Sequence, residues 1–304
     1  MRRVFGPVFV VAILLFGTVA VGGLVSGAGA QEASPESSGS LLAGMGYPEL
    51  RIRVHDDRFE LPEQVSAGRT LIVYENVGQG PRHSLLMRLP EAVGGEQALA
   101  DLGPEAQEPP AWFLDATFPG FPGETLPGET SVAVVDLAPG THLVLDDFPA
   151  VVEVVGADAT PVTSQDPAAD GTVRLVEYGF AFPEAITPGQ QVWGLTNDGQ
   201  EPHELLLARS PEPVTVEQVI ELVTSESGDE NATPVGGGPS FAELEPVGGI
   251  GWLSPGLTAW TEVRLEPGTY VALCFVFDPE TGMPHVAMGM VEVFTVGEAG
   301  TPST

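Results

Sequence analysis

Apolar residues fall in short, often β-branched runs, each stopped by Pro-Gly or another glycine-bearing turn: 71–74, 131–137, 142–145, 192–195, 258–265, 270–275 and 290–296. Runs this short at this spacing predict strands of an antiparallel β-sandwich or barrel, because Gly and Pro end a ladder that β-branched residues favour. Only 96–102 and 214–223 read as helices. One apolar stretch is longer. Residues 4–25 follow Arg2 and Arg3 and precede Ala28-Gly29-Ala30, the pattern of an export signal covering 1–30 with cleavage before Gln31. The run is just long enough to span a bilayer, so an uncleaved signal would act as an anchor, but Gly6, Pro7, Gly17, Gly22, Gly23 and the small-residue cleavage motif favour removal. No second stretch of spanning length follows, so the expected mature protein works outside the cytoplasm, periplasmic or secreted, with no integral membrane span.

Between polar, small-residue stretches at 31–47 and 157–171, the two halves repeat each other. A shift of 121 places Phe59 on Phe180, Gly68 on Gly189, Asn76 on Asn197, Gly78 on Gly199, Pro81 on Pro202, Arg88 on Arg209 and Glu96-Gln97 on Glu217-Gln218. Later the shift becomes 128, with Pro127-Gly128 on Pro255-Gly256 and Pro139-Gly140-Thr141 on Pro267-Gly268-Thr269; the extra residues fall in a Gly, Ser and Glu rich stretch around 225–249. At the end Val152-Glu153-Val154 matches Val291-Glu292-Val293 at a shift of 139, which implies eleven further residues between Cys274 and Met290. This is one domain duplicated rather than a short-period solenoid. The expected organisation is a signal at 1–30, a spacer at 31–47, a first domain at 48–156, a linker at 157–171, a second domain at 172–297 and a tail at 298–304.

Composition narrows the function. The 304 residues include 42 acids and 11 basic residues, all arginine, for a net charge of -31. Nucleic acid and anionic lipid surfaces both call for a basic face and are excluded as partners. At 43% hydrophobic residues the chain fills real cores rather than staying disordered. Its one cysteine, Cys274, cannot form an internal disulfide.

Catalytic motifs are absent: there is no G-x-S-x-G, phosphate-cradling glycine loop, H-E-x-x-H or C-x-x-C. What stands out in the second half is Asn197, Pro202-His203, then Gly268-Thr269-Tyr270, Cys274, a loop, His285 and Gly289-Met290. One thiolate and two imidazoles can form a trigonal plane with a thioether as weak axial ligand, a set suited to copper in both oxidation states. Taken singly, Cys274 reads as a small buried hydrophobe, His285 as a surface histidine and Met290 as core. Jointly they occur in the half with the longer loop and are missing together from the other.

This pattern resembles the cupredoxins, the type 1 blue copper family. The resemblance implies two tandem cupredoxin-like Greek-key β-sandwich domains with short helical insertions, an all-β fold. It makes His203, Cys274 and His285 the equatorial ligands of one type 1 copper per chain and Met290 the axial ligand, with Met288 the weaker alternative. It also implies single-electron transfer without catalysis, since the copper oxidases and nitrite reductases of the family use a histidine beside the cysteine and H-x-H pairs. Here Leu273 precedes Cys274, and none of the five histidines forms such a pair. The acidic charge points to an extracytoplasmic redox partner with a basic docking surface. The alternative is a metal-free binding or structural protein that presents the acidic surface alone.

The first half reads as the same fold without a metal. Arg82 lies where the second half has His203, His83 lies where it has Glu204, and Asp146 takes the cysteine position. Its expected role is structural or docking. His55, His142 and His83 read as ordinary surface or half-buried residues, and Trp193, Trp252 and Trp260 as core. Asn231-Ala232-Thr233 fits the glycosylation pattern, but such triplets are common and no role is assigned to it.

Overall fold

The computed structural model describes residues 39–103, 106, 108–156, 165–224, 233 and 237–297. The expected export signal, most of the spacer, residues 157–164 of the linker, most of 225–236 including Asn231 and Ala232, and the tail lie outside the described residues.

The first domain contains β1 (Glu49–Val54), β2 (Phe59–Glu60), β3 (Gln64–Ser66), β4 (Gly68–Asn76), β5 (Leu85–Arg88), α1 (Gly95–Asp101), β6 (Thr130–Leu137), β7 (Gly140–Leu145) and β8 (Pro149–Val155). The second contains β9 (Gly171–Val176), β10 (Gly179–Ala181), β11 (Gly189–Asn197), β12 (His203–Ser210), α2 (Val216–Thr224), β13 (Glu245–Leu253), β14 (Thr258–Leu265), β15 (Gly268–Leu273) and β16 (Val291–Val296). In the first domain β2-β1-β4-β6 forms one sheet and β3-β8-β7-β5 the other; in the second the sheets are β10-β9-β11-β14 and β13-β12-β15-β16. The chain crosses between sheets from β4 to β5, back to β6 and again to β7, and β11 to β15 do the same, so each domain is a Greek-key β-sandwich. The fold is all-β with short helical insertions, as expected.

Strand periodicity explains the layers. β1 alternates exposed and buried positions along its whole length. Its Leu50 and Ile52, with Ile72 and Tyr74 of β4, meet Leu86, Val144 and Val152 of the other sheet. In the second domain Val173, Trp193 and Leu195 meet Leu205, Leu207, Tyr270 and Ala272. α2 lays Val216, Val219, Ile220 and Val223, one helical face, on the outer side of β12 and β15. It starts with a capping box, Thr215 N–H donating to Gln218 Oε1 at 2.9 Å and Gln218 N–H to Thr215 Oγ1 at 3.3 Å.

The ladders test the repeat. Leu50 pairs with Ile72 and Gly171 with Trp193, both at the shift of 121. Leu85 pairs with Leu145 and Leu206 with Leu273, which reproduces both shifts. The last alignment is corrected: His142 faces Val152, but its counterpart Tyr270 faces Phe294, so Val152 corresponds to Phe294 rather than Val291. The insertion after Cys274 is therefore three residues longer than Val-Glu-Val suggests, because that triplet fits a period-two strand at more than one register. The Gly-rich stretch also ends inside β13 rather than as a loop.

The two sandwiches join through equivalent strands. β6 pairs antiparallel with its counterpart β14, Val134 facing Trp260 and Ala133 facing Thr261, so one eight-stranded sheet runs through both domains. Beside it, residues 118–123 run antiparallel to β13, the segment 128 positions on: Gly120 N–H donates to Trp252 O at 3.1 Å, Gly251 N–H to Phe121 O at 2.8 Å and Gly123 N–H to Gly249 O at 3.1 Å. Antiparallel contact between equivalent segments is the signature of a two-fold axis, here a pseudo-two-fold within one chain. Gly123 is required at this approach, since a Cβ there would sit 2.7 Å from the Gly249 nitrogen.

Candidate metal centre

β11 ends at Asn197, whose amide donates to Glu201 O at 2.8 Å and Leu253 O at 2.7 Å while its Oδ1 accepts the Gly199 N–H at 2.8 Å. The side chain thereby fixes the turn that delivers His203 to the start of β12. Cys274 follows the last residue of β15. The loop after it is closed by Asp278, whose Oδ1 accepts the N–H groups of Glu280 at 3.1 Å and Thr281 at 2.6 Å. His285 N–H donates to Val276 O and Val286 N–H to Cys274 O, each at 2.8 Å, folding the short helical turn His285–Met288 back over the cysteine.

Three of the four predicted residues converge. His203, Cys274 and His285 are each 0% exposed. One ligating atom from each lies within 4.8 Å of the others. The two Nδ1 atoms are 3.0 Å apart, and Cys274 Sγ is 3.6 Å from His285 Nδ1. Donor atoms that share one cation at bond lengths of about 2.0 Å to nitrogen and 2.3 Å to sulfur lie roughly 3.5 to 3.7 Å apart, a spacing close to the two distances given. Met290, also 0% exposed, belongs to the same core cluster as Cys274, and its N–H donates to His285 O at 2.9 Å. Met288 is half-buried at the end of the short turn.

The surroundings prepare the donor atoms. His285 Nε2 is 3.0 Å from Glu201 Oε2, which favours the tautomer with hydrogen on Nε2 and leaves Nδ1 free as a donor. Glu177 Oε1 lies 3.6 Å from His203 Nε2, beyond hydrogen-bond length, so that nitrogen is buried without a partner. Burial lowers the pKa of both imidazoles, His285 to about 4 with His203 nearby as a second cause. Burial also pushes the Cys274 thiol well up, helped by the Glu204 carboxylate, while the Glu204 N–H, 3.5 Å from Sγ, works the other way. Neutral imidazoles and a thiol that ionises only beside a cation fit a soft or borderline metal. Tyr178 closes the outer side. Its ring stands edge-on to His285 at 5.2 Å, its hydroxyl donates to Asp278 Oδ2 at 3.2 Å, and among the described residues it is the one non-glycine with positive φ, at 56°.

No family model and no curated protein matches the chain. Among solved structures, reduced auracyanin from the photosynthetic bacterium Roseiflexus castenholzii is 22% identical over 42% of this chain and 95% of its own, with a TM-score of 0.26. A copper-containing nitrite reductase from Thermus scotoductus SA-01 is 12% identical over 83% of this chain and 61% of its own, with a TM-score of 0.24. A multicopper oxidase is 13% identical over 82% and 88%, with a TM-score of 0.23. With scores this low the likeness adds nothing to the strand order and ladders, on which the fold rests.

The first domain fills the equivalent position with an ion pair. Arg82 Nη1 lies 3.4 Å from Asp146 Oδ1 and 3.1 Å from Asp147 Oδ2, and Ser84 Oγ donates to Asp146 Oδ2 at 2.8 Å. A guanidinium stands where His203 stands in the second domain, and a carboxylate where Cys274 stands.

Several residues escaped the sequence reading. His142 is buried rather than a surface or half-buried residue, and its pKa is lowered to about 4 by burial. His83 faces Glu204 of the other domain, Nε2 to Oε2 3.4 Å. Burial opposes the His83 cation, but Glu204 outweighs it and the pKa is raised. Glu124 is buried with neither carboxylate oxygen partnered, and burial raises its pKa to about 8. The alignment had placed His83 over Glu204, yet aligned residues touch only across a two-fold axis.

Proposed function

We propose that this protein is an extracytoplasmic single-electron carrier that would hold one type 1 copper through His203, Cys274 and His285, with Met290 as the further ligand. The observation that carries this reading is the convergence of one sulfur and two imidazole nitrogens at a fully buried point. Bound copper supplies the one-electron redox chemistry. The chain supplies a dry pocket, two imidazoles kept neutral, and a loop whose backbone bonds hold Cys274 and His285 in register, which limits rearrangement between oxidation states.

On this reading the chain's role ends at electron transfer, since Leu273 rather than a histidine precedes Cys274 and none of the five histidines forms an H-x-H pair. Glu201 stands against His285 Nε2, with Glu177 and Asp278 near the same ring, and these carboxylates suit a redox partner with a basic docking surface. Residues 1–30 support export, and among the described residues no helix is long and apolar enough to cross a membrane.

Mixing the purified mature protein with Cu(II) is expected to give the intense blue thiolate-to-copper band with one copper per chain, and Cys274→Ala to abolish it. Failure of the wild type to develop the band, or its survival in Cys274→Ala, rejects the reading.

A further inference from the structure

Glu204 follows His203 directly, is 1% exposed, and makes three contacts with different consequences. Its N–H lies 3.5 Å from Cys274 Sγ. Its Oε1 accepts the N–H of Phe275 at 2.7 Å, immediately beyond the cysteine. Its Oε2 faces His83 Nε2 of the first domain at 3.4 Å, and neither atom makes a hydrogen bond. One side chain thus binds the start of β12, the end of β15 and the other sandwich. With the imidazole gone, Oε2 would be buried facing no polar group, which is disfavoured and drives the side chain to move. Movement of Glu204 would release the Phe275 N–H and shift the backbone that faces the sulfur.

His83 and Glu204 are the same position of the repeat, 121 residues apart. They meet because the domains associate through β6 and β14 about a pseudo-two-fold axis. Among the described residues no second-domain group is hydrogen-bonded to Oε2, so an isolated second domain would leave it without the facing imidazole.

We propose that His83 is a positioning residue for the Cys274 site: by pairing with Glu204 across the domain interface, it lets the first sandwich hold the strand end that carries the sulfur. The identity of the metal rests on the reading above; the clamp itself concerns the thiol and is tested without metal.

The experiment uses the full mature chain carrying His83→Leu, which removes the imidazole facing Oε2, and His83→Gln, which keeps an N–H group of similar reach. Leu42→Ala, in a separate core cluster, controls for general loosening. In the metal-free proteins the rate of Cys274 modification by the neutral reagent 4,4'-dithiodipyridine is expected to rise at least tenfold in His83→Leu and to stay within threefold of wild type in His83→Gln and Leu42→Ala. After Cu(II) loading, His83→Leu is expected to shift the thiolate-to-copper band and the reduction potential, with His83→Gln close to wild type. A wild-type thiol rate in His83→Leu, or equal acceleration in Leu42→Ala, overturns the proposal. Should His83→Leu not fold, His83→Ala, which adds no bulk, carries the same comparison. If wild type takes up no copper while the thiol rates behave as expected, the copper reading falls and the clamp stands.

Discussion

His83 and Glu204 occupy one position of an internal repeat and touch each other, Nε2 to Oε2 3.4 Å, across the pseudo-two-fold axis between the sandwiches. In a symmetric pair of domains that position would meet its own copy, and two glutamates or two histidines would repel when charged. A histidine opposite a glutamate removes the repulsion and makes the two domains unequal. The same inequality separates the poles: Arg82 with Asp146 in one domain, His203 with Cys274 in the other.

Glu124 makes stability depend on pH in an unusual direction. Its carboxyl has a folded pKa raised to about 8 by burial, against 4.5 in the open chain. The folded state therefore holds a proton that the unfolded state has lost between those values. Stability from this group is fully present below pH 4.5 and is lost as pH rises through 8. Glu124→Gln, which cannot ionise, is expected to exceed wild type by on the order of 5 kcal/mol at pH 9 and to match it near pH 4. Urea unfolding at both values checks this, and no gain at pH 9 would refute it.

His142 acts at the other end of the scale. Burial lowers its folded pKa to about 4 from 6.5, so the unfolded chain binds a proton that the folded chain refuses. Stability is whole above pH 6.5 and is lost as pH falls through 4, by on the order of 3 kcal/mol. His142→Leu is expected to flatten this acid limb whatever it does to stability at pH 7. An unchanged slope between pH 6.5 and 4 would count against the assignment.

Strands with strong β-branched runs, such as β6, β14 and β16, were legible because their buried faces demand apolar residues at alternate positions. β13 was not. Its Gly248 and Gly249 read as loop, yet both adopt positive φ, 111° and 133°, and a Cβ on Gly249 would stand 1.9 Å from Leu205 O. Glycine there marks close packing, which a propensity argument inverts. At the candidate metal centre the cluster of His203, Cys274 and His285 was legible because sulfur and imidazole side chains are few in this chain. Glu204, His83 and Glu177 were invisible among 42 acids and scattered histidines, since their importance comes from burial and from a domain interface that no local pattern encodes.

Asn197 and Asn76 offer a matched pair. Each amide closes a turn with three hydrogen bonds, Asn76 to Gly80 O and Thr125 O at 2.8 Å and from Gly78 N–H at 2.9 Å. Alanine leaves buried backbone groups unsatisfied, so each substitution is expected to cost about 2 to 4 kcal/mol. Only Asn197→Ala should also weaken copper uptake, because only its turn leads into His203. Equal copper affinity in the two variants, measured by competition with a chelator, would show that the turn does not position the ligand.

Gly199 and Gly78 separate ligand geometry from turn stability more sharply. Neither has the positive φ that would exclude alanine on backbone grounds. A Cβ on Gly78 would meet Asp56 Oδ1 at 2.6 Å, the end of an exposed side chain that can swing away. A Cβ on Gly199 would meet His203 Nε2 at 2.6 Å and Cδ2 at 3.0 Å, and that imidazole is fully buried. The ring can yield only by tilting, which moves Nδ1 away from Cys274 and His285. Gly199→Ala is therefore expected to lose at least tenfold in copper affinity, or to shift the thiolate-to-copper band, while unfolding within about 1 kcal/mol of wild type, since alanine restricts the unfolded chain more than glycine does. Gly78→Ala should bind copper as wild type does. If Gly199→Ala takes up copper with wild-type affinity and spectrum, His203 is not held where the metal needs it, and its place in the ligand set is lost even if Cys274 and His285 keep theirs.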